Sequence, residues 1–377
     1  MSFPKIEHID DVTPHVSFDK GFVVSRRPNH TVIDYVFALP ETFDTPIARE
    51  CRGLKFDRDG LLIGRPFHKF FNLGERERIE EIDWSVPHAV QDKLDGSMVH
   101  PVLLEGSLTF MTRMGATAQA MAAGSEADSG TLDLSRHLLA AGITPVFEFT
   151  SPENRIVVAY ERPALTLLTA RDMVSGTYLP QIELADLAER FAVPLVRSHG
   201  SIADARAFAE AARREAGIEG YVVCFDDGHR LKLKTDAYVL RHRALSGVHL
   251  EKNVLAWVAT GAVDDVIPLL PPEIGERVLT YQGTVNAGLA EQARAIRTFV
   301  AEHGDLSRKD FAALLSKRID PRLKQAAFAA FDGRDPADVL LALVTRAAGS
   351  ENRVEAVRDL FGMHWSTTGL PLPELEA

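Results

Sequence analysis

Over the first 245 residues the apolar positions recur mostly in short alternating runs. Examples are GFVVS, TVIDYVFAL, GLLIGRPF, SLTFMTR, PVFEF, RIVVAY, LTLLTA, EGYVVCF and HRLKLK, bounded by turns rich in Gly, Pro and Asp. A period of two puts successive side chains on opposite faces of a strand, so this stretch predicts antiparallel sheets with short helices between them. Ser201 with Asp204 reads as a capping box that opens an Ala-rich helix ending near Gly217. The Asp-Gly step in FDDGHR predicts a hairpin. Its second strand places Lys232 and Lys234 on one face and Leu231 and Leu233 on the other.

The period changes after residue 245. NVLAWVATGAVDDVI, NAGLAEQARAIRTFVAEH, KDFAALLSKR and PADVLLALVTRAAG are Ala- and Leu-rich with helical spacing, and hairpin signals are absent. Ser307 with Asp310, and Asp335 before Pro336, are helix starts. The expectation is an α+β chain, with an antiparallel-sheet domain over 1–245 and an all-α domain over 246–377. No internal repeat, heptad seam, low-complexity tract or long linker interrupts it.

Composition agrees with two packed cores, since 46% of the 377 residues are hydrophobic. The two cysteines, Cys51 and Cys224, have no Cys or His cluster nearby, and no apolar run approaches the roughly 20 residues of a membrane span. With no leader pattern either, the expectation is a reduced, cytoplasmic protein without a membrane partner. The net charge of −11 argues at first against nucleic acid, yet its distribution is uneven. Arg49–Arg78 holds eight Lys or Arg against five Asp or Glu, and His229–Lys252 holds six against two.

Within these limits one lysine stands out. Lys93 lies in KLDGS, followed by Glu148 in VFEF, Glu219 in IEGYVV, and Lys232 and Lys234 in RLKLKT. The tetrad K-x-D-G alone is weak, arising by chance in roughly one chain of this length in a dozen. The collective order is stronger. A free lysine at pH 7 needs about 4.6 kcal/mol to become the neutral amine, and neighbouring cations lower that cost. Lys232 and Lys234 supply such cations and can also neutralise the phosphates of a nucleotide under attack. Glu148 and Glu219 would repel phosphates but suit magnesium, which takes one or two carboxylates and keeps its waters. Each residue has a plainer role open to it: a solvated turn for Lys93, an edge-strand guard for the two lysines, and structural ion pairing for the two glutamates, Lys93 included as partner.

Taken together, KLDGS, FEFTSPENRIVVAY, EGYVV and LKLKTDAY resemble the covalent nucleotidyltransferases, specifically the phage-type RNA ligase 1 family. ARECRGLKF at 48–56 and RPFHKFFNLGE at 65–75 resemble that family's phosphate-contacting elements. The resemblance implies a nucleotidyltransferase domain of the ATP-grasp-like ligase type, followed by a helical domain that helps choose the RNA. It implies an ATP-dependent RNA ligase that forms lysyl-AMP on Lys93, passes AMP to a 5′-phosphate RNA end, and seals that end to a 3′-hydroxyl. Arg52, Lys69, Lys232 and Lys234 would contact ATP phosphates, and Gly96 would allow close approach of the nucleotide. Glu148, Glu219 and Tyr238 would hold Mg2+ or Mn2+ through its waters. The implied partners are single-stranded RNA or a nicked RNA loop, tRNA included, and a separate polynucleotide kinase-phosphatase that prepares the ends. Phe70, Phe71 and Val222 read as core.

Two positions depart from the family pattern: Leu94 stands where an acidic residue is usual, and Arg113 where a lysine is. Arg113 keeps the charge but changes a point donor into a planar fork. The rivals are a DNA ligase or an mRNA capping enzyme, both of which would require a β-barrel after the last strand, and a non-catalytic nucleotide- or RNA-binding protein.

Overall fold

The computed structural model describes residues 3–370 and 372. The chain divides into two compact units, one running to Val239 and the other from Leu240 to Leu372. Residue 245, where the composition changes, falls inside the helix Asp236–Val248 that leads from the first into the second.

The first unit is mixed α and β. Its strands are β1 (Phe22–Arg26), β2 (His30–Tyr35), β3 (Leu54–Asp57), β4 (Leu62–Gly64), β5 (Phe71–Asn72), β6 (His88–Lys93), β7 (Ser97–Leu104), β8 (Ser107–Thr112), β9 (Ile143–Thr150), β10 (Ala164–Asp172), β11 (Gly220–Phe225) and β12 (Arg230–Lys234). They form three four-stranded sheets, in the orders β1-β2-β3-β4, β10-β9-β7-β8 and β5-β12-β11-β6. Pairing is antiparallel except between β5 and β12, which run parallel. β5 and β12 are separated by residues 73–229, so no hairpin imposes the antiparallel sense expected of the other pairs.

Alternation does its work in the third sheet. Tyr221, Val223 and Phe225 of β11 and Leu231 and Leu233 of β12 enter a core with Val90. Ala209 and Ala212 of the helix Ala205–Arg214 close it. The opposite face of β12 is left to Lys232 and Lys234, as the spacing predicts. The hairpin turns at Gly228, whose φ of +89° suits glycine.

Two local expectations need correction. The helix Ala205–Arg214 is capped by Asp204, which accepts from the Ala207 N–H at 3.0 Å, so Ser201 is not its cap and the helix ends before Gly217. RIVVAY is not a strand: residues 151–163 are irregular. The N–H groups of Val157 and Val158, which would feed a sheet ladder, donate to the Asp95 carboxylate at 2.7 and 2.6 Å.

The described residues 240–370 contain helices and no strand. The longest helix, Pro272–His303, buries Ile274, Val278, Tyr281, Val285, Ala293 and Ile296 along one face. Ser307 and Asp335 cap the helices Arg308–Arg318 and Pro336–Ala347 as the sequence predicts, accepting from the N–H groups of Asp310 and Ala337. The absence of strands in these described residues disfavours the rivals that need a β-barrel here.

Candidate active site

Lys93 is the last residue of β6, opposite Gly220 of β11, and Gly220 faces Lys234 of β12 on its other side. The two lysines therefore flank one glycine across three adjacent strands. A side chain at 220 would put its Cβ 2.0 Å from the Leu233 carbonyl oxygen, so glycine is required for this register. Glu219, 3% exposed, presents Oε1 to both ammonium groups, at 2.7 Å from Lys93 Nζ and 3.0 Å from Lys234 Nζ.

The turn after Lys93 is held rigidly. Asp95 is 1% exposed and accepts from Val157, Val158 and the Tyr238 hydroxyl, the last at 2.8 Å. Its own N–H donates to the Tyr160 hydroxyl oxygen at 2.9 Å. Burial, reinforced by the charge of Glu219, raises the Asp95 carboxyl above the ordinary aspartate range despite these donors. Burial, with the charges of Asp95, Glu148 and Glu219 adding to it, pushes the Tyr160 phenol up to about 12. Asn154 bonds Ser97 Oγ and the Phe149 carbonyl, so the segment SPENRIVVAY closes over KLDGS from both sides.

Gly96 donates its N–H to Glu148 Oε1 at 3.2 Å. A Cβ at this position would meet the Phe149 carbonyl oxygen at 2.3 Å, so the protein's own backbone already requires glycine here. Glu148 is buried on β9, and Tyr238 is 4% exposed with its ring under Lys234 Nζ at 4.9 Å.

Lys232 marks the other half of the site. Burial, then the positive charges of Arg52, Lys93, Lys69 and Lys234, hold its ammonium well below the usual lysine range. Four cations thus act on Lys232. Lys232 Nζ lies 4.7 Å from the Phe70 ring centre. Lys69 Nζ lies over Tyr35 and Phe43, both at 5.1 Å. Among the described residues none of Arg52, Lys69 and Lys232 has a carboxylate at ion-pair distance, and Arg52 Nη1 is buried without a hydrogen-bond partner. A buried donor left open beside uncompensated cations fits an anionic ligand such as a polyphosphate.

For a metal, no group of three or more His, Cys, Asp or Glu side chains among the described residues is arranged to hold an ion. Two buried carboxylates beside the lysine, Glu148 and Glu219, fit magnesium, which completes its shell with water and substrate phosphate.

The sequence reading thus finds its residues in one unit, in two linked groups: Lys93, Gly96, Glu148, Glu219, Lys234 and Tyr238 around the KLDGS turn, and Arg52, Lys69 and Lys232 beside it. It misses Asp95, Asn154, Tyr160 and Tyr35. Asp95 had a signal, an acid two residues after Lys93, and Asn154 and Tyr160 lie within the FEFTSPENRIVVAY segment; Tyr35 had none without the fold. Arg113 lies over the Tyr35 ring at 4.4 Å and 3.4 Å from Asp34. Phe71 belongs to the core of the first sheet and Phe70 to a smaller core cluster with Phe67 and Val146, both as expected, with Val222 packed partly buried against it.

Residues 50–238 match the family model described as RNA ligase. The chain is 32% identical over 252 residues to a putative RNA ligase of Thermovibrio ammonificans, an alignment covering 64% of this chain and 65% of that protein. It is 30% identical over 346 residues to RNA ligase 1 of bacteriophage TS2126, covering 85% of each. A putative bifunctional polynucleotide kinase/RNA ligase of Autographa californica nuclear polyhedrosis virus is 27% identical over 302 residues, 68% of this chain and 42% of that protein.

Proposed function

The chain belongs to the RNA ligase family, and on that premise we propose that it joins 5′-phosphate to 3′-hydroxyl RNA ends with ATP, through lysyl-AMP formed on Lys93. The observation that carries this reading is a division of charge along β12. Lys93 and Lys234 share one carboxylate, whereas Lys232, Lys69 and Arg52 beside them have none.

In the first step the Lys93 Nζ lone pair attacks the α-phosphorus, the P–N bond forms, and pyrophosphate leaves with the electrons of the bridging bond. Nζ must first pass a proton to a base, and Glu219 Oε1, 2.7 Å away, is placed to accept it. Lys234 lies 3.0 Å from the same oxygen. Lys232, Lys69 and Arg52 meet the charge that develops on the leaving phosphates. In the second step an oxygen of the RNA 5′-phosphate attacks the phosphoramidate phosphorus and the amine is restored. In the third the 3′-hydroxyl oxygen attacks the 5′-phosphorus and AMP departs. Asp95, pinned by four hydrogen bonds, keeps the turn and hence Lys93 in place throughout.

Bound Mg2+, with Mn2+ as the second candidate, would supply further charge neutralisation. Glu148 and Glu219 are the residues that would hold it. Tyr238, whose hydroxyl donates to Asp95, is the third residue assigned to such an ion, through a bound water. The helical unit is assigned to RNA choice, with a broken tRNA loop as the substrate class. No phosphate-loop kinase motif occurs in the 377 residues. End preparation by a separate kinase-phosphatase is part of this proposal, and a viral relative is named as a bifunctional polynucleotide kinase/RNA ligase. No helix among the described residues is long and apolar enough to cross a membrane.

Incubation with α-labelled ATP and magnesium, followed by denaturing electrophoresis, tests this. Covalent label from ATP is expected in the wild type and absent in Lys93→Ala. Preference for GTP would point to capping chemistry, and no label at all would refute covalent catalysis. The labelled enzyme should circularise 5′-phosphorylated single-stranded RNA, and activity on DNA alone would overturn the RNA assignment.

A further inference from the structure

We propose that a second phosphate pocket lies at the β5 edge of the third sheet and holds a phosphate of the RNA strand. The inference rests on the ligase reading for the identity of the strand but not for the pocket itself. Its walls include Arg49, Lys69, Phe71, Arg76, His229 and Arg230. Four permanent cations line it against one carboxylate, Glu77, which already lies 3.1 Å from His229 Nε2. Arg76 is 3.3 Å from Asp44, but among the described residues neither Arg49 nor Arg230 has a carboxylate at ion-pair distance.

Arg230 is 6% exposed. It directs Nη1 to Cys224 Sγ at 2.8 Å and Nη2 to Thr169 Oγ1 at 3.3 Å, while its Nε is buried with no partner. Arg49 donates Nε to the Phe43 carbonyl, which leaves both terminal nitrogens for a ligand. The floor is apolar: the Phe71 ring is approached by Arg76 at 5.1 Å, Lys69 at 5.7 Å and Arg49 at 5.8 Å. An aromatic face attracts a cation but does not neutralise three. The effect reaches His68, which burial and the charges of Arg171, Arg230, Arg49 and Arg52 keep neutral. A concave pocket lined by guanidinium groups, with the terminal nitrogens of Arg49 facing no carboxylate, matches a tetrahedral oxyanion.

Position on the strand favours RNA over nucleotide. The α-phosphate belongs at the Lys93 and Lys234 end, and Arg230 lies four residues away, roughly 13 Å along β12. Lys232 lies within that interval, Lys69 borders both groups, and with Arg52 they are assigned to the triphosphate. β5 is only two residues long and forms the edge of its sheet, so a polynucleotide can run past it.

The test uses the full chain with Arg49→Gln, and Arg76→Gln as an exposed second variant should the first misfold. Fluorescence anisotropy with 5′-phosphorylated single-stranded RNA, without ATP, reads the pocket directly. At least tenfold weaker binding is expected for Arg49→Gln. The slope of log affinity against log salt should become shallower by about 0.7 per lost contact. The KM for ATP in self-adenylylation is expected to stay within twofold. If instead the ATP KM or inhibition by added pyrophosphate moves while RNA affinity does not, the pocket serves the nucleotide and the proposal is overturned. Unchanged binding of both also overturns it. A wild type that binds RNA in this pocket yet never takes up AMP would sink the ligase reading and leave the pocket standing.

Discussion

Two groups of basic residues, drawn largely from the same stretch of chain, meet opposite fates. Glu50, Arg65 and Arg171 form a fully buried triad in which Glu50 receives Arg65 Nε at 3.0 Å and two nitrogens of Arg171 at 2.8 Å. The remaining guanidinium donors reach carbonyls of Pro4, Pro66, Met173, Val174 and Gly176. Burial pushes the Glu50 carboxyl up, but Arg171 and Arg65 outweigh it and the net shift is downward. Two residues beyond Glu50, Arg52 joins Lys69 and Lys232, where no carboxylate is in reach. A cation whose partners are complete is part of the scaffold, and one buried without an anion implies that the anion arrives from outside.

The largest test of this contrast is Glu50→Ala, which leaves two buried guanidiniums uncompensated. Stability is expected to fall by about 3–5 kcal/mol, read from denaturant midpoints, and a loss below 1 kcal/mol would break the distinction. Lys232→Met should do the reverse. Adenylylation drops by about 10²- to 10³-fold, the cost of losing one preorganised charge, while the melting temperature holds or rises because repulsion with Arg52, Lys93, Lys69 and Lys234 is relieved. A destabilised but active Lys232→Met would place this lysine with the scaffold.

Lys55 sharpens the comparison from between the two groups. It is fully buried, donates to the carbonyls of Gly53 at 2.7 Å and Arg113 at 3.0 Å, and burial, partly offset by Asp34, lowers it to about 7. Because the folded value lies below the unfolded one, the unfolded chain binds more protons from about pH 7 to the ordinary lysine range. Stability should therefore rise with pH across that window, by up to about 1.4 kcal/mol per unit. Lys55→Met is expected to remove that part of the rise in paired melts at pH 7 and 10, and an identical slope in both proteins would show that Lys55 does not titrate there.

Much of this was readable in advance. Alternation alone put Lys232 and Lys234 on the face opposite Leu231 and Leu233, because backbone geometry sends successive strand side chains to opposite sides whatever lies nearby. The same local logic marked the hairpin at Gly228 and the caps Ser307 and Asp335. RIVVAY misled for an instructive reason: its composition suits a strand, but a buried carboxylate 62 residues earlier in the chain takes its N–H groups.

What the order of residues determined by itself was the set of strands and helices, the nucleophile candidate and the lysine row, all properties of neighbours within a few positions. Only the folded chain decided which charges are cancelled. Glu50 meets Arg171 across 121 residues, and Glu219, just before β11, meets Lys93 at the end of the neighbouring β6. An ion pair depends on where distant segments come to rest, and whether a buried cation serves the scaffold or a ligand follows from that meeting.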